Sequence, residues 1–243
     1  MSISSELLTL NNTKTAIRTA INQKGGSVSA SDTFASYANA IANLPTGGGN
    51  KLLTSIDVSE FSGTTFNDCR SYITGVTIPN TVTTIGANAF SNCSSLTTVT
   101  IPNTVTTISA NAFNACTGLT SVTIPSGVTS IENYTFNGCS GLTSITIPSS
   151  VTTIGVRPFM GCTDLTSITI PSSVTSIGNQ AFSGCTGLTS IVVNATTPPT
   201  LGTDVFSLTN NCPIYVPAAS VATYKAASNW SQLAGRIQAI PTE

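Results

Sequence analysis

Histidine is absent from all 243 residues of the chain. That absence removes the Ser-His-Asp and Cys-His arrangements of nucleophilic catalysis and every imidazole-ligated metal site. Charge is almost as scarce. Lys and Arg number 8 and Asp and Glu 9, so 7% of residues are charged and the net charge is −1, against about 25% charged residues in ordinary domains. A surface so poor in Lys and Arg is not expected to bind nucleic acid or to dock electrostatically on anionic lipid. No stretch approaches the ~20 consecutive apolar residues that cross a bilayer, so no membrane insertion is expected. Met1-Ser-Ile-Ser-Ser-Glu-Leu-Leu lacks a basic n-region, an apolar h-region and a small-residue cleavage site. Export by the general secretory route is therefore not expected, and the Asn-x-Ser/Thr triplets at Asn92, Asn133 and Asn194 carry little weight as glycosylation sites.

What the chain has instead is repetition. A 23-residue unit recurs five times without a gap, as 80–102, 103–125, 126–148, 149–171 and 172–194. Val82, Ile85, Phe90, Cys93, Leu96, Val99 and Ile101 of the first unit recur as apolar columns. The phenylalanines continue as Phe113, Phe136, Phe159 and Phe182, and the cysteines as Cys116, Cys139, Cys162 and Cys185. A fixed period of this length predicts a solenoid in which each turn buries its apolar face against its neighbours. Leu96-Thr-Thr-Val99-Thr-Ile101-Pro102 alternates like a half-buried strand closed by a proline that cannot donate to a ladder. Val82-Thr-Thr-Ile85 predicts a second short extended segment. Ala87 to Cys93 makes the turn between them, read as one helical turn. Six or so turns at about 4.8 Å each make a slab on the order of 30 Å long.

The flanks do not repeat. Asn12 or Thr13 caps a predicted helix through Lys24, and a second runs from Ser31 or Asp32 to Leu44, with Phe34, Tyr37 and Ile41 on one face. Residues 46–50, Thr-Gly-Gly-Gly-Asn, read as a flexible linker. An imperfect first turn begins at Lys51 and includes Phe66, Cys69 and Tyr72. The expected division is 1–45 a helical attachment or oligomerisation module, 46–50 the linker, 51–217 the solenoid and 218–243 a helical C-terminal cap. In that cap Ser220 heads a short helix carrying Val221, Tyr224 and Ala227. Trp230, the lone tryptophan, anchors the cap on the last coil.

The seven cysteines suggest zinc or disulfides, but the 23-residue spacing stacks Cys93 to Cys185 in one column as small buried hydrophobes. Adjacent turns bring their Cα atoms within disulfide range, yet parallel stacked side chains rarely reach the required dihedral. Within the repeats the only carboxylates are Glu132 and Asp164, in different columns, so no acid/base dyad is indicated. Hydroxyls fill the outward strand positions: Thr97, Thr98 and Thr100, then Thr120, Ser121 and Thr123, with Thr83, Thr84, Thr106 and Thr107 on the second strand. Such ranks serve strand propensity and solubility; they would also order water against ice, or exchange hydrogen bonds with glycan hydroxyls. The repeats differ mainly in one turn, which reads Gly86-Ala-Asn, Ser109-Ala-Asn, Glu132-Asn-Tyr134, Gly155-Val-Arg157 and Gly178-Asn-Gln180. Glu132, Tyr134, Arg157 and Met160 form its distinctive patch and are the candidate binding residues. An ion pair between Arg157 and Glu132 is the structural alternative.

The unit Ser-Leu-Thr-x-Val-Thr-Ile-Pro-x-x-Val-Thr-x-Ile-Gly-x-x-Ala-Phe-x-x-Cys, carried by Ser95–Cys116 and Gly118–Cys139, resembles the BspA-type leucine-rich repeat over about residues 60–217. The tail Ile214-Tyr-Val-Pro-Ala-Ala-Ser-Val-Ala-Thr-Tyr-Lys-Ala-Ala also resembles the C-terminal ending of such proteins. That resemblance implies a mainly β solenoid and adhesion to host proteins or glycans at cell surfaces, with no catalytic residues and no cofactor. Asn12-Thr-Lys-Thr-Ala-Ile-Arg-Thr-Ala-Ile and Phe34-Ala-Ser-Tyr-Ala are similar to short helical modules heading phage tail and tail-fibre proteins. Together these imply a non-enzymatic virion appendage, a homo-oligomer attached to other virion proteins through 1–45, whose solenoid meets a host-surface glycan or protein. The alternatives are a bacterial surface adhesin and a purely structural decoration of the particle.

Overall fold

The computed structural model describes residues 73–242. The predicted N-terminal helices, the 46–50 linker and the imperfect turn up to Tyr72 lie outside the described residues. From Ile73 onward the chain winds as a parallel β-solenoid. One rank of strands comprises β1 (Gly75–Thr77), β3 (Thr98–Thr100), β5 (Ser121–Thr123) and β7 (Ser144–Thr146). It is followed by β9 (Ser167–Ile170), β11 (Ser190–Val193) and β13 (Ile214–Val216). The second rank holds two-residue strands: β2 (Thr84–Ile85), β4 (Thr107–Ile108), β6 (Ser130–Ile131), β8 (Thr153–Ile154), β10 (Ser176–Ile177) and β12 (Thr200–Leu201). All pairs are parallel, and all but β10 with β12 keep the 23-residue register, as in Val76 opposite Val99, Ser121 opposite Ser144 and Ile131 opposite Ile154.

Alternation sets the sides. Val99, Val122, Ile145, Ile168 and Ile191 point inward and are buried, while their flanking Thr and Ser residues stand outward. Not every outward hydroxyl is free to meet a ligand. Thr97, Thr120, Thr143, Thr166 and Thr189 each donate to the carbonyl one turn earlier, at 2.9–3.4 Å. Thr104, Ser150 and Ser173 staple the other flank in the same manner, onto Val82, Val128 and Val151. With so few charges available, hydroxyls supply cross-turn bonds as well as solubility.

Two side-chain ladders run through the core, beside buried columns of Val, Ile and Leu. Six phenylalanine rings, Phe90 to Phe206, stack nearly parallel at centroid distances of 5.1–5.7 Å. Beside them runs a column of buried cysteines, of which Cys139, Cys162, Cys185 and Cys212 are free. Each of Cys116, Cys139, Cys162 and Cys185 donates its S–H to a phenylalanine carbonyl of the turn before, at 3.0–3.3 Å. The thiol column thus gives a second donor to carbonyls that already accept the N–H of the cysteine three residues on, as Phe90 O does from Cys93. Burial pushes the Cys139 thiol up to about 12 from an ordinary 9.0. Cys162 is raised too, by the adjoining Cys185 thiol and then by burial.

The turn between the strands is not helical. It is a run of tight turns closed by bonds such as Ala89 N–H to Gly86 and Cys93 N–H to Phe90. A helical turn is prevented because two residues of each repeat are left-handed, for example Asn88 (φ 58°) and Asn92 (φ 62°).

At the C-terminal end, Pro198-Pro199 shifts the second-rank register, so that Ile177 pairs with Leu201 rather than 23 residues on. Carbonyls of this irregular stretch are met by the cap: Tyr224 Oη donates to Ala195 O and Trp230 Nε1 to Pro199 O, both at 2.8 Å. Both side chains are fully buried, Trp230 edge-on to Tyr224 and tilted 47° over Phe206. The helix α1 (Val221–Ala226) has six residues. Ser220 precedes it without a side-chain capping bond, because a 3-10 turn over Ala218–Ser220 already leads into the helix. The chain then returns to the sheet as β14 (Ile237–Ala239), parallel to β13, so the cap ends as a strand. Arg236 closes the thiol ladder. Its Nη1 donates to Phe206 O at 3.2 Å, Nε to Cys212 O at 2.9 Å and Nη2 to Thr209 Oγ1 at 2.8 Å.

Candidate functional site

Two columns of left-handed residues run down the turn side of the solenoid. The first contains Asn88, Asn111, Tyr134, Arg157, Gln180 and Asp204, with φ between 55° and 59°. The second contains Asn92, Ala115, Gly138, Gly161, Gly184 and Leu208. Asparagine tolerates this region best among residues with a Cβ, and Asn88 and Asn111 follow that rule. Tyr134, Arg157 and Gln180 do not, and residues held there against preference store about 1–3 kcal/mol each. The backbone permits it because each N–H is bonded to the following turn: Tyr134 to Val156 O, Arg157 to Asn179 O and Gln180 to Thr203 O, at 2.9–3.0 Å.

Their side chains meet. Arg157 Nε donates to Gln180 Oε1 at 2.5 Å, and Nη1 approaches the Tyr134 hydroxyl at 3.5 Å. The guanidinium carbon stands 5.9 Å from the Tyr134 ring centroid, within cation–π range. The expected ion pair with Glu132 does not form. That carboxylate instead accepts from Ser130 Oγ at 2.5 Å, since its own strand offers a hydroxyl two residues away. Among the described residues Arg157 has no carboxylate partner. Met160 is half-buried and closes the turn, its N–H reaching Arg157 O at 3.4 Å. Of the four residues singled out from sequence, the structure therefore joins Tyr134 and Arg157, keeps Met160 beside them in the same turn and ties Glu132 elsewhere. Gln180 was missed as a member. Its signal was present, since it holds the column position of Tyr134 and Arg157 in the next unit.

A shallow groove of about 400 Å³ adjoins this ladder, lined by the Thr153, Ser176 and Thr200 positions and floored by Gly155, Gly178 and Gly202. A Cβ on Gly155 would stand 2.6 Å from Asn133 Oδ1, which already accepts the Val156 N–H at 2.7 Å, so glycine is required there. No group of three His, Cys, Asp or Glu residues gathers among the described residues to hold a metal, and no helix among them is long and apolar enough to cross a membrane.

A parallel β-solenoid of 23-residue turns with stacked phenylalanines and a charge-poor exterior defines a leucine-rich-repeat scaffold. Residues 59–189 and 152–228 match the BspA type leucine rich repeat region, in six copies, and the chain belongs to that family. Among solved structures it is similar to the leucine rich repeat protein of T. pallidum, at 27% identity and a TM-score of 0.59, over 66% of this chain and 75% of that one. It is also similar to a leucine rich cell surface protein from Faecalibacterium prausnitzii, at 39% identity and a TM-score of 0.49, over 58% of this chain and 44% of that one. The chain thus spans less than half of the F. prausnitzii protein. No curated protein matches it.

Proposed function

We propose that the chain is a non-enzymatic binding protein of the bacterial surface-adhesin type, which presents the turn side of its solenoid to a host glycan or protein. The observation that carries this reading is the interlocked Tyr134–Arg157–Gln180 ladder. It sits on strained backbone in a column whose earlier members are the unstrained choice, asparagine. A packing requirement would favour asparagine throughout, whereas contact with a ligand explains three dissimilar side chains held in one place. Membership of a BspA-type family supports the surface setting. The virion-appendage expectation draws on residues 1–45, outside the described residues, and on no feature of the solenoid, so the surface reading is preferred.

The test is retention of beads coated with the chain on mucin and on epithelial cells. A triple variant, Tyr134→Asn, Arg157→Asn and Gln180→Asn, restores the Asn88 pattern and serves as the control. Wild-type beads should bind saturably and the triple variant about tenfold less or weaker, with its unfolding transition intact. Equal binding by the two would move recognition to another face, and no retention of wild type on either surface would overturn the reading.

A further inference from the structure

We infer that the Arg157 turn is an oxyanion receptor, and that its ligand is a carboxylated or sulfated polysaccharide. The inference rests on the surface-binding reading above and adds the chemistry of what is bound. Between Ile73 and Val216, Arg157 is the only basic residue and the acids are Glu132, Asp164 and Asp204, so one positive edge stands on a charge-poor array. A lone surface arginine ordinarily drifts among rotamers in solvent or pairs with a nearby acid. Arg157 does neither. Gln180 Oε1 holds Nε at 2.5 Å, and the Tyr134 hydroxyl and ring hold the rest of the head group. All of these partners are neutral, so they fix the orientation of the fork without discharging it. Of the five N–H donors of a guanidinium, the engaged ones are Nε–H and one on Nη1. The end-on edge of Nη1 and Nη2 keeps the remaining donors, and that edge matches the paired oxygens of a carboxylate or sulfate.

Beside the fork lies the groove, and its chemistry narrows the carrier of the anion. Its rim is hydroxyl and amide, from Thr153, Ser176, Thr200 and Asn133, and its floor is glycine backbone. Of its apolar members Ile154, Ile177 and Leu201 are turned into the core, at 1%, 2% and 7% exposure, while Val156 stands half-buried at the rim. The groove is shallow and offers peptide side chains one half-buried valine rather than a deep apolar pocket, whereas its uncharged donors and acceptors suit the hydroxyls of a sugar chain. One fixed cation beside such a groove fits a sugar that carries one acidic group.

The probes are two matched pairs titrated against the full chain by calorimetry: polygalacturonate with its methyl ester, and dextran sulfate with dextran. Each pair keeps the backbone and changes the charge. The expected result is a preference of about tenfold or more for at least one acidic polymer over its neutral partner, weakening as salt rises from about 50 to about 500 mM. Preference for polygalacturonate assigns a carboxylate ligand, and preference for dextran sulfate a sulfate. Arg157→Gln should remove the preference with little change in melting temperature, since the side chain is half-buried and its partners are neutral groups on the same turn side. Arg157→Lys, a point charge without the fork, should recover only part of it. Equal affinity for acidic and neutral polymers, affinity for none of the four, or an undiminished preference in Arg157→Gln would overturn the inference. Retention on mucin under those conditions would still uphold surface binding, so the two failures are separable.

Discussion

Replacing Phe136 by leucine removes one ring from the middle of the six-membered stack while keeping most of the apolar volume. Phe136 is fully buried, with Phe113 at 5.5 Å and Phe159 at 5.6 Å and interplanar angles of 4° and 6°. Each stacked contact is worth about 0.5–1.5 kcal/mol beyond area burial, and shape mismatch on repacking adds about 1 kcal/mol. The single variant should therefore lose about 2–4 kcal/mol. Its origin can be isolated by double-mutant cycles in urea unfolding, followed by far-ultraviolet circular dichroism and by Trp230 fluorescence. The two signals must coincide for two-state treatment of a repeat array to hold. Phe136→Leu combined with Phe159→Leu should show a coupling of about 0.5–1.5 kcal/mol, because these rings touch. Phe136→Leu combined with Phe182→Leu, two turns apart, should be additive within about 0.5 kcal/mol. If the touching pair is additive, or both pairs couple equally, the nearest-neighbour ladder is not what holds the turns together.

Three further outcomes follow from named contacts. Arg236→Lys should destabilise by about 2–3 kcal/mol, nearly as much as Arg236→Met, because a lysine cannot reach Phe206 O, Cys212 O and Thr209 Oγ1 together; a lysine variant of wild-type stability in denaturant would contradict this. Leu208 is left-handed at φ 56° and 75% exposed, in a column where Gly161 and Gly184 precede it. Leu208→Gly should raise stability by about 0.5–1 kcal/mol by thermal melting, since relief of strain exceeds the added unfolded-state entropy. The raised thiols make the fold base-labile. Below about pH 9 the cysteines are protonated in both states; above it the unfolded chain releases the Cys139 proton and the folded one does not. Stability should therefore fall by about 1.4 kcal/mol per pH unit for this thiol between about pH 9 and about pH 12. Urea midpoints across that range, with Cys139→Ala as the control showing a shallower slope, check it.

The scaffold was legible because its signals are columns. Phe90 to Phe182 and Val82 to Val174 repeat at one interval, and an interval that packs side chains is hard to read otherwise. The tryptophan was readable as an anchor because the last coil needed a cover, and Trp230 covers it. The irregular ends were less legible. Nothing local in Ile237-Gln-Ala239 marks it as a strand, and its pairing depends on β13 lying beside it. Ala87-Asn-Ala-Phe90 has no obvious helix breaker and predicts a helical turn, yet asparagine in the left-handed region breaks it. The role of the hydroxyls was half visible. Alternation shows that Thr97 faces outward, but not that its hydroxyl closes onto Thr74 O. At the candidate site, variation between repeats found Tyr134 and Arg157. The choice between Glu132 and Gln180 as the partner of Arg157 needed the geometry of neighbouring turns.

Hydrogen exchange read by mass spectrometry, on the free chain and on the chain bound to mucin, tests the site most directly. If recognition lies on the turn side, new protection should concentrate in peptides covering 130–137, 153–160 and 176–183, where Tyr134, Arg157 and Gln180 stand. Protection confined to the hydroxyl ranks from Thr98 to Thr169, or an unchanged exchange pattern despite binding, would contradict it.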